Sequence, residues 1–209
     1  MRHLSVCVVT VVAALTGGCS DARKARAQAG IQATYDKGSG RLKELTLDSN
    51  HNGHVDTWTD MDGNRPVQTR IDRNEDGRLD RWEYYDTSGR LVKVGFSRKD
   101  DGKSDAWAFS RPDGSIARIE ISSSMDEKKI DRWEHYEAGG LAAAEEDTNG
   151  DAAIDKWETY RAAVLTSAAF DENHDGRPDR RLTYRDGALL FIDTNPDAAG
   201  NYTRRVEVK

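Results

Sequence analysis

Oxygen-bearing side chains recur at alternate positions of short, glycine-containing stretches. The fullest stretch has Asp72, Asn74 and Asp76, followed by Gly77, Asp80 and Glu83. Three others share the pattern: Asp147, Asn149, Asp151, Asp155 and Glu158; Asp48, Asn50, Asn52 and Asp56; and Asp171, Asn173, Asp175 and Asp179. In such a turn the side chains at positions 1, 3 and 5 bring their oxygens together. Glycine at 6 allows the bend, the carbonyl at 7 adds a ligand, and positions 9 and 12 supply more oxygen. An all-oxygen set suits a hard divalent cation. Without one, the four carboxylates of the Asp72 stretch would repel by about 1 kcal/mol per pair or more at surface dielectric.

The copies differ in instructive ways. Ala152 stands where the turn wants glycine, and a side chain there resists positive φ. Thr59 and Leu182 occupy position 12 of the Asp48 and Asp171 stretches. Two degenerate copies, beginning at Ser97 and Ser123, have lost positions 1 and 3 and bring in Lys99, Lys128 and Lys129. The expectation is strong sites at Asp72 and Asp147, weaker ones at Asp48 and Asp171, and no cation at Ser97 or Ser123. The competing expectation is that Asp, Asn and Gly simply form Asx turns that cap backbone amides.

The Asp72 stretch resembles the calcium loop of EF-hand proteins, with Leu79 at the usual apolar position 8. The flanking helices of that family are missing. The similarity is closer to the EF-hand-like loops of extracellular thrombospondin type 3 and dockerin modules. The resemblance implies Ca²⁺ as the ion and a structural role for it. At about 2 mM calcium, a site with a dissociation constant near 0.1 mM would stabilise the fold by about 1.8 kcal/mol.

The elements that carry these loops follow from a repeat. Trp58, Trp82, Trp107, Trp133 and Trp157 are spaced by 24, 25, 26 and 24 residues, and Arg181 takes the next place. Each has an aspartate two residues before it. After each loop come a short aromatic segment, a glycine turn and a second apolar segment, as in Arg81–Tyr85, Asp86–Gly89 and Arg90–Phe96. Period-two patterning bounded by turn residues reads as a hairpin. At Ala142–Ala144 helix propensity conflicts with the repeat register, which predicts strand. A β-propeller needs about 40–45 residues per blade. The predicted fold is therefore all-β: an elongated array of about six stacked antiparallel hairpin repeats of about 24 residues over 34–209, joined by acidic loops. A truncated seventh loop is expected at Asp193–Asp197. Trp58 to Trp157, with Tyr84, Tyr136, Tyr160 and Tyr184, are expected to stack between hairpins or to form a surface platform for sugar rings.

Composition sets outer limits. The chain has 209 residues, 31 Lys and Arg against 37 Asp and Glu, and a net charge of −6. Its mean hydropathy is −0.81, so a thick core is not expected. The acidic balance argues against nucleic acid as a partner. The mature histidines His51, His54, His135 and His174 have no zinc-ligand spacing, and His51 and His174, at position 4 of their loops, are expected to point outward.

A basic start followed by the apolar run Leu4–Leu15 is too short to span a bilayer and fits a secretory signal over 1–18. The run ends in Leu15-Thr-Gly-Gly-Cys19, which resembles the lipobox of bacterial lipoproteins. The resemblance implies lipidation of Cys19, a tether over 19–33, and anchoring in the bacterial cell envelope. Ser20 after the cysteine implies the outer membrane. The sequence thus points to a non-enzymatic, calcium-binding envelope lipoprotein that acts as a scaffold or interaction module, attached to the membrane by its lipid. Its partner would be an envelope protein or polysaccharide. A carbohydrate-binding module with exposed aromatics is the alternative. An envelope hydrolase would need paired carboxylates around a cleft, outside the loop positions.

Overall fold

The computed structural model describes residues 30–208. The expected signal segment, Cys19 and most of the tether lie outside them. Among the described residues there is no helix, and none is therefore long and apolar enough to cross a membrane. The chain forms one 15-stranded antiparallel sheet in which every strand pairs only with its sequence neighbours. The strands are β1 (Ile31–Tyr35), β2 (Leu42–Leu47), β3 (Thr57–Asp62), β4 (Arg65–Ile71), β5 (Arg81–Tyr85), β6 (Leu91–Phe96), β7 (Ala106–Ser110) and β8 (Ile116–Ile121). They continue as β9 (Arg132–Glu137), β10 (Gly140–Glu146), β11 (Lys156–Arg161), β12 (Val164–Phe170), β13 (Arg180–Arg185), β14 (Ala188–Pro196) and β15 (Tyr202–Glu207).

The all-β hairpin array is as predicted, and Ala142–Ala144 lie in strand β10. The hairpins join edge to edge by backbone hydrogen bonds, however, where stacking had been expected. The unit also begins earlier than residue 34: β1 starts at Ile31, and the Gly30 carbonyl accepts the Asp48 amide at 3.1 Å.

Two kinds of connection alternate. Tight turns close β9–β10 through Ala138-Gly139 and β13–β14 through Asp186-Gly187, with both central residues at positive φ. That conformation matches strand twist and explains the glycines. Ala162-Ala163, at φ 49° and 61°, makes the same turn without them. Each tight-turned hairpin carries a register shift near its turn, such as that between Tyr84 and Tyr85. Such bulges increase local twist. The other connections are the acidic loops. In an antiparallel meander every second connection falls at the same end, so the loops form a row there, successive ones about 9.6 Å apart.

The two faces differ. One carries Trp58, Trp82, Trp107, Trp133 and Trp157 in a single row, with Arg70, Gly95, Glu120 and Glu145 between them on the intervening strands. All five Trp are half-buried. Continuous ring stacking is not what the sheet produces, because a strand separates successive Trp. Tyr84 and Trp107 do meet, 6.0 Å apart and tilted by 47°, and the Lys93 ammonium sits 3.7 Å from the Trp107 ring centre. The expected ladder also divides between faces. Tyr136 and Tyr160 lie three residues past their Trp, and donate to Glu134 and Glu158 on the opposite face.

That opposite face holds the buried aliphatic side chains Val94, Ala106, Ala108, Ala144 and Ala168. Buried aspartates outnumber them: Asp56, Asp72, Asp105, Asp131, Asp147, Asp155, Asp171 and Asp193. The best-shielded parts of this thin molecule are largely its loops.

Candidate metal centre

Each acidic loop is built from its own side chains capping its own amides. The aspartate at position 1 accepts from the amide at position 6: Asp48 from Gly53 (2.7 Å), Asp72 from Gly77 (3.0 Å), Asp147 from Ala152 (2.8 Å) and Asp171 from Gly176 (2.7 Å). The residue at 3 accepts from 5, as Asn74 does from Asp76 (3.1 Å), and 5 accepts from 7, as Asp76 does from Arg78 (2.9 Å). Position 9 reaches back to position 2: Asp80 accepts from Arg73 (2.5 Å), Asp56 from Ser49 (2.8 Å), Asp155 from Thr148 (3.0 Å) and Asp179 from Glu172 (2.9 Å). Consecutive Asx-type bonds therefore shape the loops. Ala152 adopts φ 71°, the strained conformation expected at its position.

Among the described residues no three His, Cys, Asp or Glu side chains form a ready metal cluster. The loop carboxylates nonetheless keep capacity to spare. An ionised carboxylate has about four lone-pair sites. Asp72 makes the point most clearly: it is 6% exposed, and its Oδ1 is buried without a hydrogen-bond partner. A buried, unsatisfied carboxylate oxygen is costly, and a cation would relieve it.

Capping also tunes the carboxyls. Burial works to raise the Asp56 carboxyl, but the Ser49 and Thr57 hydroxyls and the Ser49 amide outweigh it and hold it below the usual range. At Asp147 burial is likewise outweighed, by the amides of Ala152, Gly150 and Asp151.

The structure places some expected ligands elsewhere. Glu83 and Glu158, at position 12, lie on strands β5 and β11. Glu83 is held by the Arg81 Nε (2.7 Å) and the Tyr85 hydroxyl (2.6 Å). Glu158 meets Arg132 NH2 (2.8 Å), Lys156 Nζ (3.0 Å) and the Tyr160 hydroxyl (2.9 Å). Arg132 and Lys156 also bind Glu146, at 3.1 and 2.9 Å, which ties three strands together. Position 12 was assigned from a loop that runs into a helix. In an extended strand the same residue is carried away from the loop.

Of the expected seventh loop only Asp197 lies in a connection, where it caps the turn between β14 and β15; the rest is strand. Asp193 sits inside β14 on the Trp face, where Arg181 (3.0 Å) and Arg205 (2.6 Å) close on its carboxylate from neighbouring strands. Arg205 first, with Arg181, outweighs the opposing effect of burial and sets its carboxyl below the ordinary range. Arg181 thus fills a Trp position with a charge because its cross-strand neighbour is an aspartate.

Sequence reasoning missed two features. The first is Arg98. In the Ser97 loop its Nε binds Asp105 at 2.8 Å and its NH2 binds the Ser122 carbonyl, so a guanidinium neutralises that buried carboxylate. The next degenerate loop starts at Ser122, whose amide takes the Asp105 carbonyl at 2.9 Å, one residue before the expected start. The second feature is position 4. His51, Glu75, Asp100 and His174 all have positive φ, from 58° to 63°. His174 is exposed, and its Nδ1 lies 3.2 Å from Asn149 Nδ2 of the preceding loop. Glu75 receives Asn50 and Asn52 at 2.5 and 2.6 Å, and Asp100 receives Asn74 at 3.2 Å. A polar residue at position 4 in these copies was the available signal.

A cleft of about 500 Å³ lies between the Asp72 and Ser97 loops, floored by Ile71, Phe96 and Ala106, with Arg73 and Asp80 at its wall.

No protein-family model matches the chain, and no curated protein matches it. Among solved structures, TarM is similar at 12% identity over 46% of this chain and 18% of its own, with a TM-score of 0.37. A variant of S. aureus TarM in complex with Fondaparinux, alpha-GlcNAc-glycerol and UDP is similar at 11% identity, over 47% and 19% of the two chains, with a TM-score of 0.38. The accessory secretory proteins 1, 2 and 3 of Streptococcus pneumoniae are similar at 9% identity, over 62% and 17%, with a TM-score of 0.19. This chain spans less than a fifth of the length of each.

Proposed function

We propose that this is a non-enzymatic, calcium-stabilised repeat protein of the bacterial cell envelope, lipid-anchored through Cys19 and serving as a scaffold or interaction surface. The observation that carries the calcium reading is Asp72, buried with one carboxylate oxygen unpartnered at the heart of an oxygen-rich loop. Three further loops share its backbone plan. A single-layer sheet has little aliphatic burial to hold it, so ions bridging its loops would supply stability that the core lacks. The cleft beside the Asp72 loop is lined by one carboxylate, Asp80, which is engaged with the Arg73 amide. It offers no acid–base pair.

The test is thermal melting of the chain in calcium, in magnesium and in chelator. The melting temperature is expected to rise in millimolar calcium, with heat of uptake in calorimetry. Identical melting in chelator with no heat would refute the reading. The anchor is tested separately: incorporation of labelled fatty acid should be lost in Cys19→Ala.

One observation favours a second reading, a carbohydrate-binding module. No second layer of the described residues covers the Trp face, and its five Trp remain half-buried in a row. Envelope glycans should then quench Trp fluorescence in a saturable way, and an unchanged spectrum would dismiss this alternative.

A further inference from the structure

The side chain at position 4 lies within hydrogen-bonding reach of the asparagines of the loop that precedes it. At Asp72 the loop's own side chains provide Asp72, Asn74 and Asp76, while Glu83 is tied to Arg81 and Tyr85 on its strand. A carboxylate does approach from elsewhere. Asp100, at position 4 of the following loop, puts both oxygens 3.2 and 3.3 Å from the side-chain nitrogen of Asn74. Arg78 holds Asp100 there by donating to its carbonyl at 3.0 Å. Close approach of the two loops is built in, since a Cβ on Gly102 would lie 3.5 Å from Arg78 Cβ. The Asp48 loop shows the same arrangement, with Glu75 bridging Asn50 and Asn52. That loop has the fewest carboxylates of its own, with Asn52 at position 5 and Thr59 at position 12.

Building on the calcium reading, we infer that two of the calcium sites are completed across the repeat boundary by the position-4 carboxylate of the next loop: Asp100 for the Asp72 loop and Glu75 for the Asp48 loop. In the first of these loops the position-1 carboxylate, Asp72, is 6% exposed and keeps an unpartnered Oδ1, an oxygen that a bound cation would satisfy. Each ion then ties two successive hairpins together. The rule also reorders the sites. The Asp147 loop has a complete motif but faces His174, and the Lys129 ammonium lies 2.7 Å from where a Cβ on Gly150 would be. A hard cation prefers carboxylate oxygen to imidazole. The Asp72 and Asp48 loops therefore bind more tightly than the Asp147 loop.

Calcium titration calorimetry on the full chain tests this with three variants. Asp100→Asn keeps size and hydrogen bonding, and is expected to weaken the tightest binding step about tenfold. Asp101→Asn removes the same charge one residue away and is expected to weaken it less than twofold. His174→Asp supplies the missing carboxylate to the Asp147 loop. It is expected to add a tight step and to raise the melting temperature in calcium but not in chelator. Equal effects of Asp100→Asn and Asp101→Asn, with no gain from His174→Asp, would overturn the inference while the calcium reading stands. No calcium uptake by the unsubstituted chain would overturn that reading itself.

Discussion

Two neighbouring loops share a backbone plan and satisfy their carboxylates differently. The Asp72 loop has Asp at position 1 and Arg73 at position 2; the Ser97 loop has Ser at 1 and Arg98 at 2. In the first, Asp72 keeps a buried, unpartnered oxygen, and the Arg73 side chain forms no ion pair among the described residues. In the second, Ser97 Oγ takes the Asp101 amide at 3.2 Å, and Arg98 folds back onto Asp105. Losing the position-1 carboxylate removes negative charge from the turn, and an internal guanidinium neutralises what remains. Under the proposed calcium reading, the sequence of each copy decides whether the charge that balances the loop is an internal guanidinium or a bound ion.

The largest expected effect comes from breaking the intrinsic case. Arg98→Met leaves the Asp105 carboxylate, 2% exposed, without its partner. A cost of about 2 kcal/mol is expected by denaturant unfolding, below the full buried-pair value because Arg98 is itself partly exposed. Millimolar calcium should restore part of it, and full loss regardless of calcium would separate the two loops for good. Next comes the bound case. Asp76→Ala should abolish most of the calcium-dependent melting shift of its unit, about 1.8 kcal/mol or about 4–7 °C, whereas Lys128→Ala should leave it nearly intact. Equal effects would break the ranking of loops.

A smaller effect sharpens the comparison with the Asp147 loop. Ala152→Gly relieves φ 71° at position 6 and should raise stability by about 1 kcal/mol, in calcium or in chelator. The gentlest probe is pH. The folded Asp56 and Asp147 carboxyls lie below their unfolded values, so between the two the unfolded chain binds more protons. Their contribution is present above the ordinary Asp value of about 4 and is lost as pH falls through the depressed folded values. Tyr136 acts at the opposite limit. Burial and its bond to Glu134 push its hydroxyl up to about 12, so that contribution is present below its ordinary value of 10.0 and fades as pH rises through about 12. Melting curves across pH that show neither acid nor alkaline loss would contradict these assignments.

The hairpin period was legible because a Trp, or Arg181 in its place, and one acidic turn mark successive units, and period two reads strands at sight. Ala142–Ala144 shows register overruling local propensity. The position-12 glutamates were misplaced because they were counted along the chain as if a helix followed. Asp193 was mistaken for a loop residue because its two arginines come from Arg181 and Arg205, each twelve residues away along the chain. Tyr136 and Tyr160 were grouped with the Trp although an odd spacing puts them on the other face.

By itself the sequence determined which turns carry oxygen, where glycine permits the bend, and that short strands alternate with those turns. These are local matters of side-chain type and allowed φ. Only the tertiary structure decided that hairpins join edge to edge and that Glu75 and Asp100 reach across to the preceding loop. The reason is geometric: the meander brings residues one repeat apart to the same end of the sheet, and the left-handed backbone at position 4 aims their side chains along the row.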